Sequence, residues 1–255
     1  MLVNFLIVGT QKGGTTALAQ FLSRHPQVCM ASQKEVHFFD DDMRYLDAAG
    51  TPKYDFYHSF FESCNDRRAI GEATPIYMYL PPIAERMKAY NPVLKLIFIL
   101  RDPAQRAYSH YCMEKERGKE TLGFREAIDA EHERLKSKDL SLDDSHLRYH
   151  SYVDRGFYAR QIRHLLSYFP IEQMLFLRNE DLSRDHAGTL AKVNRFLQIE
   201  DVPPPPPERV FEHRYPPMHP EDERYLQPRF LQDIEELEGL TGWDLGSWKG
   251  EGHGI

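Results

Sequence analysis

Hydrophobic positions divide the chain into short apolar runs and longer stretches where apolar residues recur every three to four places. Residues 4–8 form a run too short for a helix and read as a buried strand. The helical pattern of Ala17, Leu18, Phe21 and Leu22 follows and is closed by His25-Pro26, predicting a helix over 15–24. A short strand is expected near Val28–Ala31 and another at Ala69–Ala73. Between them, residues 41–67 are aromatic-rich without a clean period, so irregular structure is expected. After Pro81-Pro82, the spacing of Ile83, Met87 and Tyr90 predicts a helix. Leu94–Leu100 is the strongest strand pattern, and Ala104, Ala107, Tyr108 and Tyr111 mark one face of a helix behind it. Residues 131–150 are polar and weakly periodic, as in a mobile loop or a frayed helix end. A helix through Tyr158, Ile162, Leu165 and Phe169, a strand at Met174–Leu177 and a helix through Leu190, Val193 and Leu197 complete the alternation. Strands alternating with helices predict a single α/β domain with a central, mostly parallel sheet flanked by helices. Pro203–Pro207 must be extended polyproline II. It sets off a C-terminal helical cap marked by Tyr225, Phe230, Ile234 and Leu237. The expected organisation is a core over 1–202 and a cap of the same domain over 203–255.

Composition changes this picture little. The chain has 255 residues, 41% hydrophobic and 28% charged, which is ordinary for a globular protein. No apolar run approaches the ~20 residues needed to span a bilayer, and no secretory leader is visible. The net charge of −7 argues against a broad polyanion-binding surface and against nucleic acid as a partner. It leaves room for a local basic pocket, for which Lys12, Arg101 and Arg106 are placed. Cys29, Cys64 and Cys112 are scattered and odd in number, without metal spacing. They are expected to be packing residues in a reducing, cytoplasmic compartment, with no metal site.

Chemistry enters at Gly9-Thr-Gln11-Lys12-Gly13-Gly14-Thr15-Thr16. A strand, a glycine-bearing loop and a helix start make an anion cradle: backbone N–H groups converge there with the positive end of the helix dipole. The spacing from Gly9 to Gly14 is that of a Walker A loop, but Thr15 stands where that loop has lysine. The lysine here is Lys12, inside the turn. This suits a phosphate-bearing ligand and not ordinary ATP or GTP hydrolysis. A second constellation is Leu100-Arg101-Asp102-Pro103, with Arg106 and Ser109 beyond it. An arginine past the carboxyl end of a buried strand suits forked contact with a phosphate, and Ser109 can donate to the same group. A Walker B strand would end there in an acid. Two further groups carry titratable residues, Glu35-Val-His37-Phe-Phe-Asp40 and Gly71-Glu72-Ala-Thr74-Pro75-Ile-Tyr77. Glu35, His37 and Glu72 are the candidates for general-base work.

Together these motifs resemble the PAPS-dependent sulfotransferases, in particular the heparan sulfate glucosaminyl sulfotransferase branch and its bacterial relatives. Val8–Thr16 is similar to that family's 5′-phosphosulfate loop, and Leu100–Ser109 to its 3′-phosphate motif. Gly156-Phe-Tyr158, Glu180-Asp181-Leu182 and Arg214-Tyr-Pro-Pro-Met218 also fit bacterial members. The resemblance implies a P-loop-like core using PAPS as co-substrate without a metal. Lys12 would meet charge on the bridging oxygen, while Gln11, Gly13, Gly14, Thr15 and Thr16 line the cradle. Arg101 and Ser109 would hold the 3′-phosphate, and Tyr158 and Arg214 would contact the nucleotide. Glu35, supported by His37, is the favoured base, with Glu72 the other carboxylate so matched. One departure is Ala73, where glycan-sulfating relatives usually have lysine. The expected reaction is sulfuryl transfer to a hydroxyl, less readily an amine, of a small-molecule, lipid, glycan or carrier-bound acceptor, releasing adenosine 3′,5′-bisphosphate. A P-loop nucleotide kinase and a non-catalytic nucleotide-binding protein are the alternatives.

Overall fold

The computed structural model describes residues 2–137, 145–207 and 215–250. In chain order the elements are β1 (Phe5–Gly9), α1 (Thr15–Ser23), β2 (Val28–Met30), α2 (Asp42–Tyr45), α3 (Tyr54–Ser59), β3 (Ala69–Ala73), α4 (Pro82–Tyr90) and β4 (Lys95–Leu100). They continue with α5 (Pro103–Glu116), α6 (Phe124–Arg134), α7 (His146–Tyr149), α8 (Tyr158–Leu166), β5 (Met174–Arg178), α9 (Asn179–Arg184), α10 (His186–Leu197), α11 (Pro220–Leu226) and α12 (Leu231–Thr241). The strands form one sheet in the order β2-β3-β1-β4-β5, and every pairing is parallel. The expected α/β class is therefore what the chain adopts.

The sheet explains the apolar runs. Phe5 and Ile7 of β1 join Leu18 and Leu22 of α1, Ile97 and Ile99 of β4, and Leu190 and Val193 of α10 in one buried cluster. Their alternates Leu6, Val8, Leu96 and Phe98 are equally buried. A strand covered on both faces reads as a continuous apolar run, and parallel strands linked through helices are covered in this way. Since β3 and β4 flank β1, the strand order reverses at β1, and α/β sheets bind ligands at the carboxyl ends beside such a reversal.

The chain divides into two compact units. One comprises Met1–Leu100 with His164–Glu212, and holds the sheet; the other comprises Arg101–Arg163 with His213–Ile255. The Pro203–Pro207 tract belongs to the first, where His186 Nε2 lies 2.9 Å from the Pro205 carbonyl. In the second, the carboxylate of Asp233 on α12 caps the start of α8, accepting from Ala159 N at 3.0 Å and Arg160 N at 3.2 Å.

Three expectations are corrected. The 41–67 stretch holds the short helices α2 and α3, four and six residues long. Neither is long enough to show a helical period. The single C-terminal helix is two, α11 and α12, separated by the turn Gln227–Arg229 that contains Pro228. Cys29 and Cys64 are not separate packing residues: they form a disulfide across a sequence separation of 35. Of the 131–150 stretch, α6 runs to Arg134 and α7 spans 146–149, while 138–144 lie outside the described residues.

Candidate active site

The cradle is built at the carboxyl end of β1. Thr10 N donates to the Ile99 carbonyl of β4 at 3.0 Å, and Gly13 N to the Thr10 carbonyl at 2.9 Å, folding residues 10–13 into a tight turn. Lys12 sits in that turn with φ of 68°. A Cβ at position 13 would collide with the Ile99 carbonyl, and Gly14 has φ of 106°, so both glycines are sterically required. Gly14 is the N-cap of α1, whose first turn carries no acidic residue and no side-chain cap. The first amides of a helix have no partner within it and stand at its positive end, which fits the phosphate-bearing group the motif implies. Asn179, at the start of α9, donates from Nδ2 to the Gly13 carbonyl at 2.8 Å and holds the loop from behind. The sequence reading missed Asn179, although it adjoins the quoted Glu180-Asp181-Leu182.

Glu35, His37 and Glu72 come together in the same unit. His37 stands between two carboxylates: Nδ1 is 2.8 Å from Asp40 Oδ2, and Nε2 is 3.6 Å from Glu35 Oε2. Burial alone would lower the His37 pKa, but the bonds to Asp40 and Glu35 outweigh it and raise the value to about 9. Burial would likewise raise the Glu35 carboxyl, yet His37 and the paired Lys34 ammonium hold it at about 2. At neutral pH the pair is therefore an imidazolium beside a carboxylate. Asp40 was quoted in the motif without a role; its partner is visible only in three dimensions. Glu35 and His37 both occupy the left-handed region, with φ of 58° and 53°.

Glu72 is placed differently. It lies at the end of β3, wholly buried. Tyr57 and Tyr77 donate to its Oε1 at 3.1 and 3.0 Å, and Thr74 to its Oε2 at 2.5 Å. Burial lifts its pKa to about 7 even against those three hydroxyls.

The remaining residues lie in the second unit. Arg101 is its first residue, directly after β4. Its carbonyl accepts from the buried Tyr158 hydroxyl at 2.8 Å. Asp102 caps α5, accepting from Gln105 N at 2.9 Å. Ser109 is fully buried on α5, and its Oγ accepts from the Tyr215 hydroxyl at 2.6 Å. Arg106 is buried and donates to the Tyr152 carbonyl, which places it among the supports of this unit. Arg214 lies outside the described residues. No cluster of metal-ligating side chains occurs among the described residues.

The family model for the sulfotransferase domain matches residues 3–214. The human heparan sulfate glucosamine 3-O-sulfotransferase 3B1 is 35% identical over 198 residues, covering 77% of this chain and 46% of the relative. The membrane-associated sulfotransferase kil1 of Dictyostelium discoideum is 27% identical, covering 96% of this chain and 66% of the relative. The chain thus spans less than two thirds of either relative's length. A sulfotransferase structure from Alicyclobacillus acidocaldarius aligns with a TM-score of 0.81 and 31% identity, covering 98% of this chain and 99% of that one.

Proposed function

The chain belongs to the sulfotransferase family, and on that premise we propose that it moves the sulfuryl group of PAPS to a hydroxyl and releases adenosine 3′,5′-bisphosphate. One observation carries this reading: the phosphate cradle is closed by glycines and carries its lysine within the turn, with no acid at the helix start. That arrangement supports anion binding without a metal. Bound PAPS supplies an activated sulfuryl group whose leaving group is a phosphate. Lys12 and the amides of Gly13–Thr16, with Gln11 beside them, meet the charge that develops on the bridging and leaving oxygens. Arg101 and Ser109 hold the 3′-phosphate, with Tyr158 and Arg214 on the nucleotide.

Glu35 is the base in this account. As the acceptor oxygen bonds to sulfur and the sulfur–phosphate oxygen bond breaks, the hydroxyl proton becomes acidic and passes to the ionised Glu35 carboxylate. His37, charged at neutral pH and braced by Asp40, orients that carboxylate. The burial of Glu72 and its three hydroxyl partners favour a supporting place for it behind the base. The name of the human relative specifies a glucosamine hydroxyl, which favours hydroxyl over amine acceptors here. The net charge of −7 and the Ala73 departure favour a small-molecule, lipid, neutral-glycan or carrier-bound acceptor over a sulfated polymer.

Among the described residues, no helix is long and apolar enough to cross a membrane. A cytoplasmic location rested on unpaired cysteines, and the Cys29–Cys64 disulfide removes that ground, since disulfides persist in oxidising compartments. The reading is tested by transfer of radiolabelled sulfate from PAPS to a panel of hydroxyl and amine acceptors. Glu35→Gln should abolish transfer and leave donor affinity intact. Should Glu72→Gln do this and Glu35→Gln not, the base is Glu72.

A further inference from the structure

The turn that carries Glu35 and His37 is held by its backbone, and the grip comes from one hydroxyl. Tyr77 is fully buried. Its oxygen accepts from Phe38 N at 3.0 Å and from Phe39 N at 3.4 Å, and its proton goes to Glu72 Oε1 at 3.0 Å. A phenolic hydroxyl has one proton to donate, and here its oxygen accepts two. Glu72 Oε1 accepts the Tyr77 proton, an arrangement fully enforced once Glu72 ionises above a pH of about 7, and this leaves the oxygen of Tyr77 turned toward the two amides. Arginines hold the flanking carbonyls: Arg44 donates to the Val36 carbonyl at 2.7 Å and Arg86 to the Phe39 carbonyl at 2.8 Å. Phe38 stacks on Tyr57 at 4.5 Å between ring centroids, 15° from parallel. The held positions enclose His37 and begin directly after Glu35, and both residues lie in the left-handed region that non-glycine residues enter at a cost. A turn with two such residues relaxes unless its surroundings over-determine it.

We propose that Tyr77 is a positioning residue for the Glu35–His37 pair: held by Glu72, its hydroxyl fixes the backbone of the turn that presents them. Tyr57 donates to the same Glu72 oxygen while its ring stacks on Phe38, so Tyr57→Phe, which keeps the ring and removes the bond to Glu72, supplies the natural control. The inference rests on the reading of Glu35 and His37 as the reactive pair, but its test does not depend on that reading.

The experiment is a proton NMR titration of His37 in the wild-type protein, in Tyr77→Phe and in Tyr57→Phe, with the affinity for adenosine 3′,5′-bisphosphate measured on each. Beside Asp40, Glu35, the paired Lys34 and the more distant Glu72, wild-type His37 should titrate well above the ordinary range. Tyr77→Phe should shift it down toward 6.5 while nucleotide affinity changes less than about twofold. Tyr57→Phe should leave it in place. An unshifted His37 in Tyr77→Phe, or equal shifts in both variants, overturns the proposal. Amide exchange in the unmodified protein tests it without any variant. The Phe38 and Phe39 amides should exchange slowly, and exchange at the rate of an unprotected peptide overturns it. If Glu35→Gln retains transfer, the base assignment fails and the positioning result still stands or falls by itself.

Discussion

Lys12, Glu35 and His37 share a backbone property as well as proposed roles. All three have positive φ, at 68°, 58° and 53°. Such residues persist only where contacts around them compensate the strain, and they gather at functional sites. Removing the lysine ammonium should therefore be read in activity and not in folding. Lys12→Ala should lower the transfer rate by roughly 10²–10³-fold, the scale of losing one transition-state donor, with an unchanged melting temperature. Retained turnover would remove Lys12 from its role. His37 gives a pH test. Its folded pKa of about 9 exceeds the ordinary 6.5, so its contribution to stability is complete below 6.5 and lost as pH rises through 9. The stability gap between wild type and His37→Gln should shrink across that window, as followed by urea melts at several pH values. The identities of these residues were legible because their motifs are contiguous. The roles of Asp40, Tyr77 and Asn179 were not, because each depends on which partner the fold delivers to it.

Elements were legible in proportion to length and burial. The central strands β1 and β4 show as apolar runs because they are buried on both faces, and most of the longer helices show as amphipathic periods, α6 excepted. The helices α2 and α3 did not, being about one turn or two, and the disulfide beside them was hidden because cysteine spacing does not reveal pairing. Two element-level outcomes follow from packing. Ile97→Ala, in the middle of β4 and fully buried, should cost about 2–5 kcal/mol of unfolding free energy, measured by denaturant melts. Asp233→Ala removes the cap of α8 and should cost about 1 kcal/mol. Its effect on donor affinity, read by calorimetry, reports how far that cap supports Tyr158 and the Arg101 carbonyl it touches.

At the scale of the whole molecule, the α/β class and parallel sheet followed from the alternation of strands and helices. The division into units with non-contiguous segments did not, because chain order carries no signal for the return of 164–212 to the sheet. The disulfide closes a separation of 35 residues. Its reduction should destabilise the fold by about 3 kcal/mol, seen as a lower melting temperature in reductant. At this scale the proposal is a metal-independent site for a 3′-phosphorylated adenine nucleotide. Calorimetric titration with adenosine 3′,5′-bisphosphate, with 5′-AMP and with ATP plus Mg²⁺ tests it most directly. The bisphosphate should bind tightly without metal, and binding should weaken strongly when the 3′-phosphate is absent. A preference for ATP with Mg²⁺ would contradict it and point to a kinase instead.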